Sequence, residues 1–431
     1  MRYVDFETYG SCSFQLNHLN LPGEGKTMRR GLMVGVLFLF ALLVAADRTA
    51  LAGYRIIHEF DGTDGSAPYG HLISVDGRLY GMTAGDAIDN MGMIFSLASD
   101  GSGFTLLHHF AGQPGDGAWP HGSLFYQGGA LYGITWAGGC SQTNCVNLDN
   151  NGCGALLSLQ TDGSNYNEFW EFSCGGDSGA DLYAALPCAH FVSDGTQLYG
   201  TASLGGSASD YGAVFAVRPD GTGLSILHSF SGSDGVQPEG GLALENGILY
   251  GATSWGGDNN RGTVFSIETN GSNFKVLHHF GALDGTNSFA TPILANNRIF
   301  GVTTFGGAYN EGVIFSMRPG GADYQILHSF TKKDSGPFEG VILVGNKLYG
   351  ATTGNGGPNN TFGVIYSIGL DGSQYTVLHR FDGTDGSWVD GRLLLLGNTL
   401  FGLASHGGKY GNGVLFAYDL PVPTIPPHAQ R

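Results

Sequence analysis

The chain has 431 residues, of which 74 are glycine and only 13% are charged. Glycine usually supplies about 7% of a chain, so this composition excludes a helical domain and suits many short strands joined by tight turns. The formal charge of −17 argues against nucleic acid or anionic lipid as a partner, because such a surface repels phosphate.

In chain order, residues 1–27 precede a second methionine, Met28, and are read as an over-long start or extended leader. Residues 28–52 read as a signal peptide: a basic Met28-Arg29-Arg30, an apolar run over 31–46, and Ala50-Leu51-Ala52 as the cleavage site. The run is shorter than the ~20 residues that span a bilayer. The expected product starts at Gly53, is secreted or periplasmic, and keeps no stable membrane insertion.

From there a Leu-Tyr-Gly core, or its Phe variant, recurs at Leu79, Leu131, Leu198, Leu249, Ile299, Leu348 and Leu400, with spacings of 52, 67, 51, 50, 49 and 52 residues. A period in that range marks a repeat architecture. Each unit divides into four apolar segments bounded by Gly, Asp and Asn, as in GLALENG, ILYGATSWGG, RGTVFSI and NFKVLHHF of the fourth. Four strands per unit and seven units predict an all-β fold, a seven-bladed β-propeller over residues 53–420, in which each sheet buries its faces on its neighbours. The first segment, Tyr54 to Phe60, is a fourth strand without a preceding blade, and the last unit stops after its third strand. The N-terminal strand is therefore expected to complete the last blade and close the ring. Residues 421–431 are expected to be a disordered tail.

Five cysteines, Cys140, Cys145, Cys153, Cys174 and Cys188, crowd into the second unit. In an exported chain this predicts two disulfides and one remaining thiol; the spacings match no paired zinc-ligand pattern. Turns between strands one and two and between strands three and four are short, whereas the loops after strands two and four are long and variable. In an up-and-down blade the long loops share one face, where binding and catalysis are expected.

The recurring elements Leu249 to Thr253, Gly256-Gly257, Gly262 to Phe265, Leu277 to Phe280 and Asp284-Gly285 resemble the GloVer tandem-repeat (choice-of-anchor) exported proteins. The resemblance covers about residues 54–418 and implies a propeller-like fold. It carries no general activity or catalytic residue.

Candidate chemistry is sought in departures from the repeat. The histidine of the His-x-Phe strand end returns in six units, at His58, His108, His228, His278, His328 and His379, which points to a structural ring packed between blades with a nitrogen bonded to backbone. Asp-Gly pairs such as Asp284-Gly285 read as Asx-turns, with calcium a lesser possibility; no other cofactor and no metal site is expected. Where strand one enters the channel, alignment on Leu72, Leu124, Phe191, Leu242, Ile293, Ile342 and Leu393 places Tyr69, His121, Cys188, Glu239, Ala290, Glu339 and Asp390 three residues earlier. One residue earlier it places His71, Ser123, His190, Gly241, Pro292, Val341 and Arg392. Trp119, Trp136, Trp255 and Trp388 occupy the adjoining loops, with Tyr309 and Tyr410.

Aromatic rings beside carboxylates suit sugars, which stack their apolar faces and bond through their hydroxyls. The leading expectation is a non-catalytic, monomeric binding or scaffold module for glycan or another surface polymer, using Trp119, Trp136, Glu239, Trp255, Glu339, Trp388 and Asp390. The alternative is a polysaccharide lyase acting on uronic-acid linkages, with Tyr69, His71, His121 or His190 moving the proton and Arg392 neutralising the carboxylate.

Overall fold

The computed structural model describes residues 53–112, 115–139, 153–172, 184–185, 189–206, 210–354 and 361–421. The leader, the tail, and Cys140, Cys145, Cys174 and Cys188 lie outside the described residues, so the expected cleavage, tail and disulfide pairing lie outside them too.

Blade four shows how a repeat becomes a sheet. Ala243–Glu245, Ile248–Thr253, Thr263–Glu268 and Lys275–His279 form one antiparallel meander. The first hairpin turns on Asn246 and Gly247, both at positive φ, as a two-residue loop matching the strand twist requires. Val264, Phe265 and Ile267 of the third strand are fully buried, facing blades on either side alternately, as the period of two dictates. Seven such four-stranded sheets follow one another among the described residues, as the sequence predicts. In the last, Leu394–Leu396, Thr399–Ala404 and Val414–Asp419 are joined by Tyr54–Glu59 from the start of the chain, with Tyr54 opposite Tyr418 and Glu59 opposite Val414. One buried cluster runs from Phe401, Leu403 and Leu415 of this blade into Leu72, Leu79 and Phe95 of the first.

The repeated glycine of Leu-Tyr-Gly is set by packing. A Cβ on Gly251 would stand 2.5 Å from the ring of Phe265, and one on Gly402 2.3 Å from that of Phe416. Six units thus need a bare backbone in strand two for the strand-three ring to lie across, and in the second unit Gly133 faces Leu157 instead, 3.0 Å from where its Cβ would stand. The glycine of the strand three–four turn answers a different demand. It takes positive φ, 88° at Gly321, and a Cβ there would meet the carbonyl of Leu277 in the preceding blade at 2.6 Å. Leu277 is the extra residue of a β-bulge, between Val264 paired with His278 and Phe265 paired with Val276. Bulges push a strand out of plane, and here the bulge meets the neighbouring turn.

The six recurrent histidines do pack between blades, but their nitrogen partner is a side chain and not the expected backbone. Nε2 lies 2.7 Å from Asp64 in His58, 3.0 Å from Asp116 in His108, 2.9 Å from Asp234 in His228, 3.0 Å from Asp284 in His278 and 2.8 Å from Asp385 in His379. His328 stands 3.9 Å from Asp334, whose carboxylate accepts the Tyr375 hydroxyl at 2.8 Å instead. Each imidazole also stacks on an aromatic ring of the next blade: Phe104, Tyr166, Phe274, Tyr324, Tyr375 or Tyr54, with centroids 3.6–4.7 Å apart. The Asp-Gly aspartates are therefore the other half of the histidine site. Their second oxygen accepts a backbone N–H, as Asp284 does from Gly281 at 2.5 Å, so both oxygens already have donors. In the second unit Trp170 takes the place of histidine and packs with Leu224 of the next blade.

Replacing Asp284 by Ala strips the acceptor from both His278 and the Gly281 N–H. The expected loss is about 1–3 kcal/mol, read as a lower urea midpoint with an unchanged m-value.

Candidate functional site

Pairing registers fix which residues reach the channel. Ile73, Phe125, Val192, Ala243, Ile293, Ile342 and Leu394 each face the Tyr or Phe of the next strand. The buried residue that begins strand one is therefore one earlier, and in blades five and six it is Pro292 and Val341, not Ile293 and Ile342. The anchor stands seven residues before the Leu-Tyr-Gly start in all seven units, and in these two an apolar Ile293 or Ile342 directly follows it and draws the sequence reading one position late. The corrected innermost ring is His71, Ser123, His190, Gly241, Thr291, Gly340 and Arg392. Two hydrogen bonds between successive members support it: His71 N–H to Ser123 Oγ at 2.7 Å and Gly241 N–H to Thr291 Oγ1 at 3.0 Å. Glu339 drops to a position filled in other blades by glycine or alanine. Phe289 and Phe338 take the outer ring and stack at 4.9 Å; the shifted alignment hid them.

On the outer ring Tyr69 stacks on His121 at 4.8 Å, His121 on Trp136 at 5.8 Å, and Trp136 meets Trp119 at 5.8 Å. A four-ring run thus crosses blades one and two. Glu239 and Asp390 occupy the same level in blades four and seven and accept the hydroxyls of Ser254 at 2.9 Å and Ser405 at 2.6 Å. Cys188 lies outside the described residues. Trp255 is 37% exposed on the loop after strand two. Trp388 meets His406 at 5.2 Å.

Trp119 and Trp388 have φ of 50° and 58°. The equivalent position, five residues before the strand-one anchor, carries Ala67, Gln237, Asn287 and Gly336 in other blades, also at positive φ. The chain turns there from the outer loop into the channel. Asn and Gly accept that geometry readily, whereas a bulky residue is strained by about 1–3 kcal/mol.

Inside the ring, His71 and His190 meet edge to face at 4.7 Å. Ser123 Oγ accepts the His71 N–H and lies 2.8 Å from His71 Nδ1. Its single hydroxyl proton can then go to Nδ1, leaving the imidazole proton on Nε2. Burial, the neighbouring His190 and Arg392 push the His71 imidazole well below its usual range, and burial with Arg392 takes His190 down to about 3. Both rings are neutral at pH 7. Burial lowers Arg392 against the pull of Glu339, while burial raises Glu339 against the Gly340 N–H and Arg392. The structure thus brings His71, His190, Arg392 and Glu339 together. A cavity of about 300 Å³ beneath is lined by the strand-one residues of blades six, seven and one.

A second cluster, missed in the sequence, joins Asp86, Asp89 and His109, whose ligand atoms lie within 4.8 Å of one another. His109 Nε2 is 3.4 Å from each carboxylate. The donor types suit a divalent cation, but Asp86 already accepts the N–H groups of Ile88, Asp89 and Gly92, which makes it a brace for its loop. Asp86 stands where blade four has Gly256, a substitution visible only after exact alignment of the loops. Among the described residues no helix is long and apolar enough to cross a membrane.

Since His71 and His190 bind fewer protons folded than unfolded, where histidine titrates near ~6.5, their contribution is complete above that pH and is lost as pH falls through 6.5 toward the folded values. Each should cost about 1.4 kcal/mol per pH unit in this window. The melting temperature is expected to drop between pH 6.5 and 4, and His190→Gln to flatten that slope.

The fold is shared by solved structures of very different chemistry. An oligogalacturonate lyase in complex with manganese aligns with TM-score 0.54 at 11% identity, over 86% of this chain and 93% of its own. An oligogalacturonate lyase from Vibrio parahaemolyticus aligns with TM-score 0.51 at 11% identity, over 87% and 95%. A puromycin-hydrolyzing peptidase of Mycobacterium tuberculosis aligns with TM-score 0.52 at 12% identity, over 83% of this chain and 52% of its own. At such identities the likeness is one of fold alone. No curated protein matches the sequence. The family model for the Gloeobacter/Verrucomicrobia repeat matches residues 35–189 and 295–424, more than half of the chain. Seven blades built on one recurring strand grammar and those two matches lead to the same conclusion: the chain belongs to the Gloeobacter/Verrucomicrobia repeat family.

Proposed function

We propose that the protein is an exported, monomeric propeller that binds glycan or a related surface polymer through its variable-loop face. The observation that carries this reading is the placement of Trp119 and Trp388 at left-handed backbone positions where other blades hold Ala, Gln, Asn or Gly. Strain kept at a loop mouth is a pointer to function. The ring run from Tyr69 to Trp119 supplies a stacking platform, and Glu239 and Asp390 supply acceptors for sugar hydroxyls. Trp255, Tyr309 and Tyr410, at 37%, 61% and 50% exposure, extend apolar surface along the same set of loops.

The lyase reading is favoured by two of the fold neighbours, which are oligogalacturonate lyases, and by the grouping of His71, His190 and Arg392. Its weakness is basicity. A general base works best with a pKa near the working pH, and His190 at about 3 is far below it.

Isothermal titration against neutral and uronate polysaccharides tests both. Binding without product is expected, weakened about five- to tenfold by Trp136→Ala, in line with ~1 kcal/mol per stacked ring. Trp388→Gly should weaken binding while raising the melting temperature, because relief of backbone strain accompanies loss of the ring. Ultraviolet absorbance from an unsaturated uronate, abolished in Arg392→Gln, would replace this reading with the lyase; absence of binding to every glycan tested would remove both.

Export with a disulfide-held loop in the second blade completes the proposal. Alkylation of the unfolded, unreduced protein should label one of Cys140, Cys145, Cys174 and Cys188 and leave Cys153 unlabelled, and mass spectrometry should find Gly53 as the first residue.

A further inference from the structure

The cavity below the channel mouth has a chemistry unlike that of the glycan face. Its volume is about 300 Å³, and the wall is made by the innermost strands of blades six, seven and one. Ile73, Leu343, Leu394 and Leu395 line it, and His71 and Arg392 stand at its upper end. Leu343 is 37% exposed, an apolar side chain facing open space within the channel. In a repeat protein the inner strands could carry polar residues at no cost; here three successive blades present branched aliphatic ones.

Arg392 makes no hydrogen bond and no close ion pair with any described residue, and its charged neighbour is Glu339. Guanidinium groups withdrawn from bulk water are normally paired with a carboxylate or phosphate. Glu339 is not within ion-pair distance, and burial shifts it toward its neutral form, so it leaves the cation only partly balanced. His71 adds a neutral ring whose proton is directed to Nε2 by Ser123, a second donor of a type that favours an acceptor oxygen. The net acidity of the chain does not oppose an anion here, because charges beyond about 8 Å are screened at physiological salt.

The geometry points to a site for a small amphiphilic monocarboxylate, an aliphatic acid whose carboxylate meets Arg392 and His71 and whose apolar body fills the space against Ile73, Leu343 and Leu395. Both parts of the ligand are needed: a bare carboxylate leaves the aliphatic wall wet, and a bare chain leaves the guanidinium unpaired. The inference stands apart from the glycan reading, which uses the outer ring and the loops. Failure of either leaves the other intact.

The test is calorimetric or NMR titration of the full protein with acetate, butanoate, hexanoate and hexan-1-ol. Affinity is expected to rise about three- to fourfold with each added methylene, and hexanoate to bind at least tenfold more tightly than hexan-1-ol. Arg392→Gln should abolish the preference for hexanoate over hexan-1-ol, and Leu343→Gln should flatten the chain-length series. Melting curves of both variants check folding, and Arg392→Lys, which retains charge, should keep part of the preference if Arg392→Gln proves unstable. A flat chain-length series, equal binding of acid and alcohol by the unmodified protein, or an unchanged preference in folded Arg392→Gln would overturn the inference.

Discussion

The interaction on which the rest depends is the clasp between successive blades: an imidazole at the end of one outer strand, held by an aspartate six or eight residues later and stacked on a ring from the next blade. It solves a problem specific to outer edges. The inner strands of a propeller crowd one another, but the outer ones diverge, and small apolar side chains cannot fill the widening gap. A flat ring whose polar edge is satisfied at home can bridge it. The aspartate does two jobs, orienting the imidazole with one oxygen and closing its own turn with the other, and the bulge at Leu277 and the glycine at Gly321 bring the neighbouring blades to contact. Where Trp170 replaces histidine, the bridge is apolar and needs no aspartate.

With the outer edges clasped, the inner ends are free to vary. At the mouth, backbone meets backbone so closely that a Cβ on Gly391 would stand 1.7 Å from the carbonyl of Gly70. A side chain tolerated in that ring is there at some cost in packing, burial or strain. His71, His190, Arg392 and Glu339 bear the cost as desolvation, Trp119 and Trp388 as left-handed backbone. Beneath them lies the aliphatic cavity that His71 and Arg392 help to line.

Much of this was legible in the sequence. Repeat period, strand count and the completion of the last blade by Tyr54–Glu59 all follow from apolar periodicity and turn residues, which act locally. The histidines were legible as structural because six copies exceed what catalysis needs. Their partner was not, because nothing local distinguishes an aspartate that closes a turn from one that also reaches a ring on the strand before it. The ring of channel residues was read correctly in five blades and one residue late in two, where two adjacent apolar residues, Pro292-Ile293 and Val341-Ile342, were equally eligible as the anchor. Only cross-strand pairing separates them, since a one-residue slip in a strand reverses which face each side chain takes.

What the sequence by itself determined is the blade, because every demand within it, a bare glycine beneath an aromatic ring, a positive φ in a hairpin, an apolar residue at alternate positions, is met by residues close in the chain. Tertiary structure decided the site. His71 and His190 lie more than a hundred positions apart and two blades apart, and Arg392 comes from the far end of the chain; they meet because closing seven blades into a ring narrows the space between strands that no local rule relates. Their neutral or partly balanced charge states follow from that confinement, since burial, absent from any sequence pattern, is the largest influence on each of them.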